Sequence, residues 1–265
     1  MTSLARADLE ALLRARKLDR TLTSALPAFA NAGSTAPPDE FVVAPTNLDR
    51  LDASLGGGFP RGQVSELVGR CSTGRTSVLL QLLASATARG ELVALVDALD
   101  MLDVASAAAA GIDLERFLWI RGHVVINPGM CRDTNQRAIE QAIKALTLVL
   151  QAGNFGIVVL DLADAPPAAI RHLPFTTWLR LQRIVEGSQT ACVLMGSEPM
   201  ARSSAGLTVK FERAQGSGLK AQRESSVRFG RRLFEGLDIE SRVIRARSRV
   251  QEDQTVALAT SVSNV

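Results

Sequence analysis

The chain has 265 residues, of which 46% are apolar, 4% aromatic and 22% charged; its net charge is +3 and it has no Tyr. This length and apolar content suit one large globular domain with arms and argue against a disordered chain. Cys71, Cys131 and Cys192 lie far apart without a CxxC pair, which excludes a disulfide framework and a cysteine zinc site.

Residues 3–22 read as an amphipathic helix. Ser3 can cap it, and Ala5, Leu9, Leu12 and Leu13 share a stripe that leaves Arg6, Glu10, Arg14 and Lys17 largely outside. An isolated helix of this length is marginal in water, so the leucine stripe must dock on its own core or on another chain. Leu9, Leu12 and Leu13 are therefore partner-binding or self-association candidates. Residues 23–40, rich in Ala, Pro, Ser, Thr and Gly, read as a linker. Residues 1–20 lack the apolar core of a signal peptide, and no apolar run approaches the ~20 residues of a membrane span. A cytoplasmic location is expected, with no membrane partner.

From residue 41 the pattern alternates. Strands are expected at 64–68, 92–97, 117–120, 157–161, 191–195 and 207–211. Helices are expected at 77–89, 104–110, 133–151 and 176–186. Runs such as Leu92-Val93-Ala94-Leu95-Val96 and Ile157-Val158-Val159-Leu160 are apolar without alternation, as strands covered on both faces are. The fold class is α/β, with a mostly parallel sheet covered by helices on both faces. Residues 239–247 alternate apolar with basic and suit a late strand, and the chain after Gln251 is weakly patterned. The organisation is a helical arm and linker (1–40), a core (41–250) and a tail (251–265).

The stretch Gly69-Arg70-Cys71-Ser72-Thr73-Gly74-Arg75-Thr76-Ser77 meets the phosphate-loop pattern G-x-x-x-x-G-K-[ST] at every position but the lysine, where Arg75 stands. Such a loop works because small residues let successive backbone N–H groups converge on phosphate at a helix N-terminus. Gly69, Ser72, Thr73, Gly74, Arg75, Thr76 and Ser77 are the cofactor-binding candidates, with Thr76 the hydroxyl for Mg²⁺. The guanidinium of Arg75 keeps the charge of a lysine but is bulkier and planar. A Gly/Ser-rich strand-to-helix turn without a ligand has the same letters. Asp161 ends an apolar strand and is the second metal candidate, although many strands end in Asp.

Between Ala201 and Val250 stand twelve Lys and Arg against five acids. Such a segment suits phosphate backbones or an acidic partner, and equally a solvated face. Arg202, Lys210, Arg228, Arg231 and Arg232 are the DNA- or partner-binding candidates. His123 and His172 have no ligand spacing.

Over residues 41–250 the chain resembles the RecA recombinase family. The resemblance rests on Leu55-Gly56-Gly57-Gly58-Phe59-Pro60-Arg61-Gly62, the phosphate loop, Val96-Asp97-Ala98, and Ala110-Gly111-Ile112-Asp113-Leu114-Glu115, in the family's order. It implies a P-loop core built for ATP and Mg²⁺. The family's catalytic glutamate falls on Leu99 and its adenine-stacking tyrosine on Ser106; Asp100 stands beside the first from the wrong position. The late strand aligns Arg245 and Arg247 with two lysines that reach a neighbouring subunit's nucleotide, so both are cofactor candidates. The family's two DNA-binding loops, which follow Asp161 and Met195, are rewritten, and the second is short.

Within RecA-like proteins the chain is most similar to the ImuA group, through Leu160-Asp161-Leu162-Ala163-Asp164-Ala165-Pro166-Pro167 and Pro174-Phe175-Thr176-Thr177-Trp178-Leu179-Arg180-Leu181. That similarity implies an SOS-type accessory role in translesion mutagenesis, an ImuB-type partner, and contact with an error-prone polymerase, RecA, or single-stranded or primed DNA. The losses at Arg75, Leu99 and Ser106 fall on one ligand, so the expected protein is a non-enzymatic scaffold with no resident catalytic group. The alternatives are a weak ATP-gated switch and a strand-exchange protein; the short second loop and the missing glutamate disfavour strand exchange.

Overall fold

The computed structural model describes residues 43–122, 132–213, 236–247 and 255–261. The helix expected at 3–22, the linker, and Arg228, Arg231 and Arg232 lie outside them. In chain order the elements are β1 (Val43–Ala44), α1 (Asp49–Ser54), β2 (Phe59–Pro60), β3 (Val64–Gly69), α2 (Arg75–Ala88), β4 (Val93–Asp97), α3 (Val104–Ala109) and β5 (Phe117–Arg121). Then follow α4 (Arg132–Ala152), β6 (Ile157–Asp161), α5 (Pro167–Arg171), α6 (Phe175–Val185), β7 (Ala191–Gly196), β8 (Leu207–Arg213), β9 (Gly236–Ala246) and β10 (Thr255–Ser261).

β1 and β2 form a small antiparallel hairpin. The other eight strands make one sheet in the order β10-β9-β8-β3-β7-β6-β4-β5. The six from β8 to β5 are parallel, as the unalternating apolar runs require. β9 and β10 extend the sheet antiparallel to β8. The late strand was legible in the sequence; β10 was not, and it carries the sheet past Val250.

The strands bury both faces. Along β6, Ile157 and Val159 pack into one apolar cluster, and Val158 and Leu160 into the other. Leu79, Leu82 and Leu83 of α2 cover the first face. Ile139 and Leu146 of α4, with Trp178 and Leu181 of α6, cover the second. The reason is periodicity: Ile139, Ile143, Leu146 and Leu150 recur every three or four residues, so α4 presents one apolar stripe. Each such buried side chain contributes about 1.5–3 kcal/mol relative to exposure.

In-phase pairing aligns the strand ends. Asp97 stands opposite Asp161, Asp161 opposite Met195, Val68 opposite Gly196, and Gly69 opposite Phe211. The carboxyl ends of β3, β7, β6 and β4 thus form one rim, where open parallel sheets hold ligands. At the opposite end Arg61 pairs with Glu91 at 2.9 Å and donates to the Gly156 and Gln189 carbonyls at 3.1 and 2.9 Å, tying the strand starts together.

Candidate functional site

β3 runs into the loop at Gly69, and α2 leaves it at Arg75. Gly69 is required by space: a Cβ there would stand 2.7 Å from the Phe211 carbonyl oxygen and 2.7 Å from Thr73 Oγ1. Gly74 is required by conformation, with φ +80° as it caps α2, and Ile239 of β9 packs over the place its side chain would fill. Ser72 also takes a left-handed φ of +58°. Thr73 is buried and donates to the Arg70 carbonyl at 2.8 Å. Ser72, Thr76 and Ser77 are exposed, so the loop hydroxyls face outward at the start of α2. The strand, the tight turn and the helix start follow one another as the phosphate-loop pattern requires.

Arg75 is where the site departs. Its side chain is buried, with the residue 5% exposed. Nη1 donates to the Gly69 carbonyl inside the loop and lies 3.5 Å from the Gly196 carbonyl across the rim. Nη2 lies 3.9 Å from Asp164. A buried guanidinium must find acceptors, and this one takes backbone carbonyls.

Asp161 sits beside it at the end of β6 and accepts the Ala163 amide at 2.8 Å. Burial pushes its pKa up to about 7; the charges of Asp97 and Asp164 add to that, and the Ala163 amide and Arg75 oppose it. A carboxyl so raised holds a proton near neutrality that a cation would have to displace. Among the described residues no group of three or more His, Cys, Asp or Glu is placed to hold a metal ion. Of the two metal candidates, Thr76 is exposed at the start of α2 and Asp161 stands at the end of β6.

Leu99, which the resemblance sets where the family has its water-activating glutamate, is 5% exposed and packed in the second cluster. Asp100 is taken up elsewhere. It adopts φ +57° and receives both Arg121 Nε at 2.7 Å and Nη2 at 2.6 Å. That double hydrogen bond holds its carboxyl below the usual range. Arg121 also stacks 4.6 Å above Trp119, whose Nε1 donates to Asp97 at 3.3 Å. Trp119 is half-buried on the edge strand, while Trp178 is fully packed. Ser106 is exposed on α3 and bonds to the capping Asp103.

Arg245 and Arg247 do not point at the loop of their own chain. Arg245 donates to the Arg202 carbonyl and Arg247 to the Ser203 carbonyl. Glu66, which the sequence reading passed over, joins them. It is 1% exposed in the middle of β3 and accepts the Met200 and Ala201 amides at 2.7 Å each and the Thr208 hydroxyl at 2.7 Å. The segment 196–203 is thus held at Gly196 by Arg75, at Met200 and Ala201 by Glu66, and at Arg202 and Ser203 by the late strand. A charged residue inside the apolar run Val64-Ser65-Glu66-Leu67-Val68 was the signal that could have found it. Lys210 stands opposite Val68 on the adjoining strand β8 and pairs with Glu212 at 2.6 Å, and Arg202 is exposed with φ +49°.

Fold and rim together define an α/β protein of the P-loop class with an arginine in place of the loop lysine. The family model of the RecA N-terminal domain matches residues 38–170, half of the chain. The chain belongs to the RecA family. Protein RecA of Heliobacterium modesticaldum is 29% identical over 224 residues, which cover 79% of this chain and 60% of that protein. Protein RecA of Kineococcus radiotolerans is 38% identical over 126 residues, covering 47% of this chain and 32% of that protein. The chain therefore spans less than two thirds of either relative's length. Among solved structures, that of the RadB recombinase has the same fold, with a TM-score of 0.53, 15% identity, and coverage of 81% of this chain and 94% of that one. No helix among the described residues is long and apolar enough to cross a membrane.

Proposed function

We propose that this protein is a non-catalytic RecA-like scaffold of the ImuA kind, acting in translesion synthesis after DNA damage with an ImuB-type partner. The observation that carries this reading is Arg75. The group that should meet a nucleotide's phosphates is buried among backbone carbonyls of the loop and of β7. Leu99 supports it from the other side. General-base help is worth about 10²–10⁴ in rate, and a buried leucine supplies none. Ser106 offers no face for an adenine. Arg245 and Arg247 bind loop carbonyls of their own chain, which gives all three candidate phosphate-binding arginines a structural task.

A second reading is an ATP-gated switch in DNA repair. The intact loop backbone and the outward hydroxyls of Thr76 and Ser77 favour it. ATP·Mg²⁺ binding by calorimetry and turnover with and without single-stranded DNA separate the two. The scaffold reading expects no turnover from the native chain. Arg75→Lys should improve nucleotide binding, and Arg75→Lys with Leu99→Glu should bring back detectable hydrolysis. Turnover in the native chain that disappears in Thr76→Ala sinks the scaffold reading.

A further inference from the structure

The surface built by α5, α6 and the segment 197–202 has no part in the phosphate loop, yet it carries two adjoining hollows. One, of about 250 Å³, is lined by Ile170, Leu173, Phe175, Trp178 and Met200, with Arg171, Glu198 and Arg202 beside them. The other, of about 540 Å³, lies along α6, where Thr176, Leu179, Arg180 and Arg183 share one helical face. Phe175 and Leu179 remain 36% exposed each.

The charge here is predominantly positive. Arg171, Arg180, Arg183 and Arg202 line the two hollows, against the single acid Glu198. Glu198 stands 3.8 Å from Arg171, both side chains largely in solvent, so that pair is weak. Among the described residues neither Arg180 nor Arg183 forms an ion pair.

The wall of the first hollow is already set. Glu66 holds the Met200 and Ala201 amides, and Arg245 and Arg247 hold the Arg202 and Ser203 carbonyls. A surface fixed in this way has little ordering cost left at binding.

We propose that this surface docks a short acidic, amphipathic segment of a partner protein. Its large apolar side chains fill the hollows beside Phe175 and Leu179, and its flanking carboxylates meet Arg171, Arg180 and Arg183. Charge complementarity argues for that occupant. The chain's own 214–235 segment carries Lys220, Arg223, Arg228, Arg231 and Arg232 against Glu224 and Glu235, the wrong charge for this surface. A nucleic-acid backbone would use the arginines but leave the apolar hollows open. The proposal rests on the scaffold reading only in needing a protein partner.

The test uses the full chain and fluorescence anisotropy. The probes are labelled 15-residue helical peptides with Leu or Phe at i, i+3, i+4 and i+7 and either Glu or Lys elsewhere, plus a labelled oligothymidylate. The acidic peptides should bind at least tenfold tighter than the lysine peptides. Phe175→Ser with Leu179→Ser, and separately Arg180→Glu with Arg183→Glu, should each weaken that binding tenfold or more, with circular dichroism and Tm unchanged. Three outcomes overturn the proposal: no preference for acidic peptides, retained binding in either double variant, or oligothymidylate occupying the same arginines without responding to the apolar variant. ATP turnover read on the same samples keeps the two readings apart. Turnover with intact peptide binding defeats the scaffold alone, and absent peptide binding without turnover defeats the docking surface alone.

Discussion

A single side chain decides what the rim can do. A lysine at position 75 would present one compact ammonium to phosphate. The arginine presents a planar fork of five donors, and once buried it must satisfy them locally. The Gly69 and Gly196 carbonyls take its Nη1, so the side chain braces β3 against β7. Asp161 answers to the same surroundings, because burial lifts it from 3.8 to about 7. A raised acid stabilises the fold when protonated. That stability is complete below about pH 3.8 and is lost as pH rises through about 7. Asp161→Asn should therefore raise Tm more at pH 8 than at pH 5, measured by thermal denaturation in matched buffers. An equal shift at both pH values would show an ordinary, unperturbed carboxyl.

At the scale of elements, β3 ties two sites together. It ends in the phosphate loop, and three residues earlier it presents Glu66 to the segment after β7. Glu66→Gln keeps an acceptor for the two amides and a partner for Thr208. Glu66→Val keeps neither. Leaving buried amides unpaired costs about 1–3 kcal/mol. The valine variant should lose hydrogen-exchange protection at Met200 and Ala201 and drop in Tm, while the glutamine variant should stay near the native protein. The same protection in both would remove Glu66 from the clamp. Much of this scale was legible beforehand. The strands and helices of the core followed from unbroken apolar runs and from three-to-four-residue stripes, because burial on two faces or on one writes those patterns directly. α5 was missed because five residues hold too little periodicity, and the clamp because Arg245 and Arg202 meet across forty-three positions of chain.

Across the whole molecule, β9 and β10 finish the sheet on the side away from β5. β10 was not legible because the alternation in Thr255–Ser261 rests on only two large apolar residues, Val256 and Leu258, too few to stand out. It nevertheless pairs along its length with β9, and the Ser241 hydroxyl donates to the Val256 carbonyl at 3.2 Å. Ending the chain at Val250 would bare the edge of β9, and bare edges pair with other chains. That truncation should lower Tm and increase light scattering on storage; a variant as stable and monodisperse as the full chain would leave β10 no protective role.

The order of letters was enough for the parallel core, the helices on both its faces and the strand-to-helix turn of the phosphate-loop motif, since each depends on neighbours in sequence or on local period. It was not enough for the destination of the arginines. Where Arg75, Arg245 and Arg247 put their donors depends on which carbonyls the folded sheet brings within reach, and only the packed chain sets those distances.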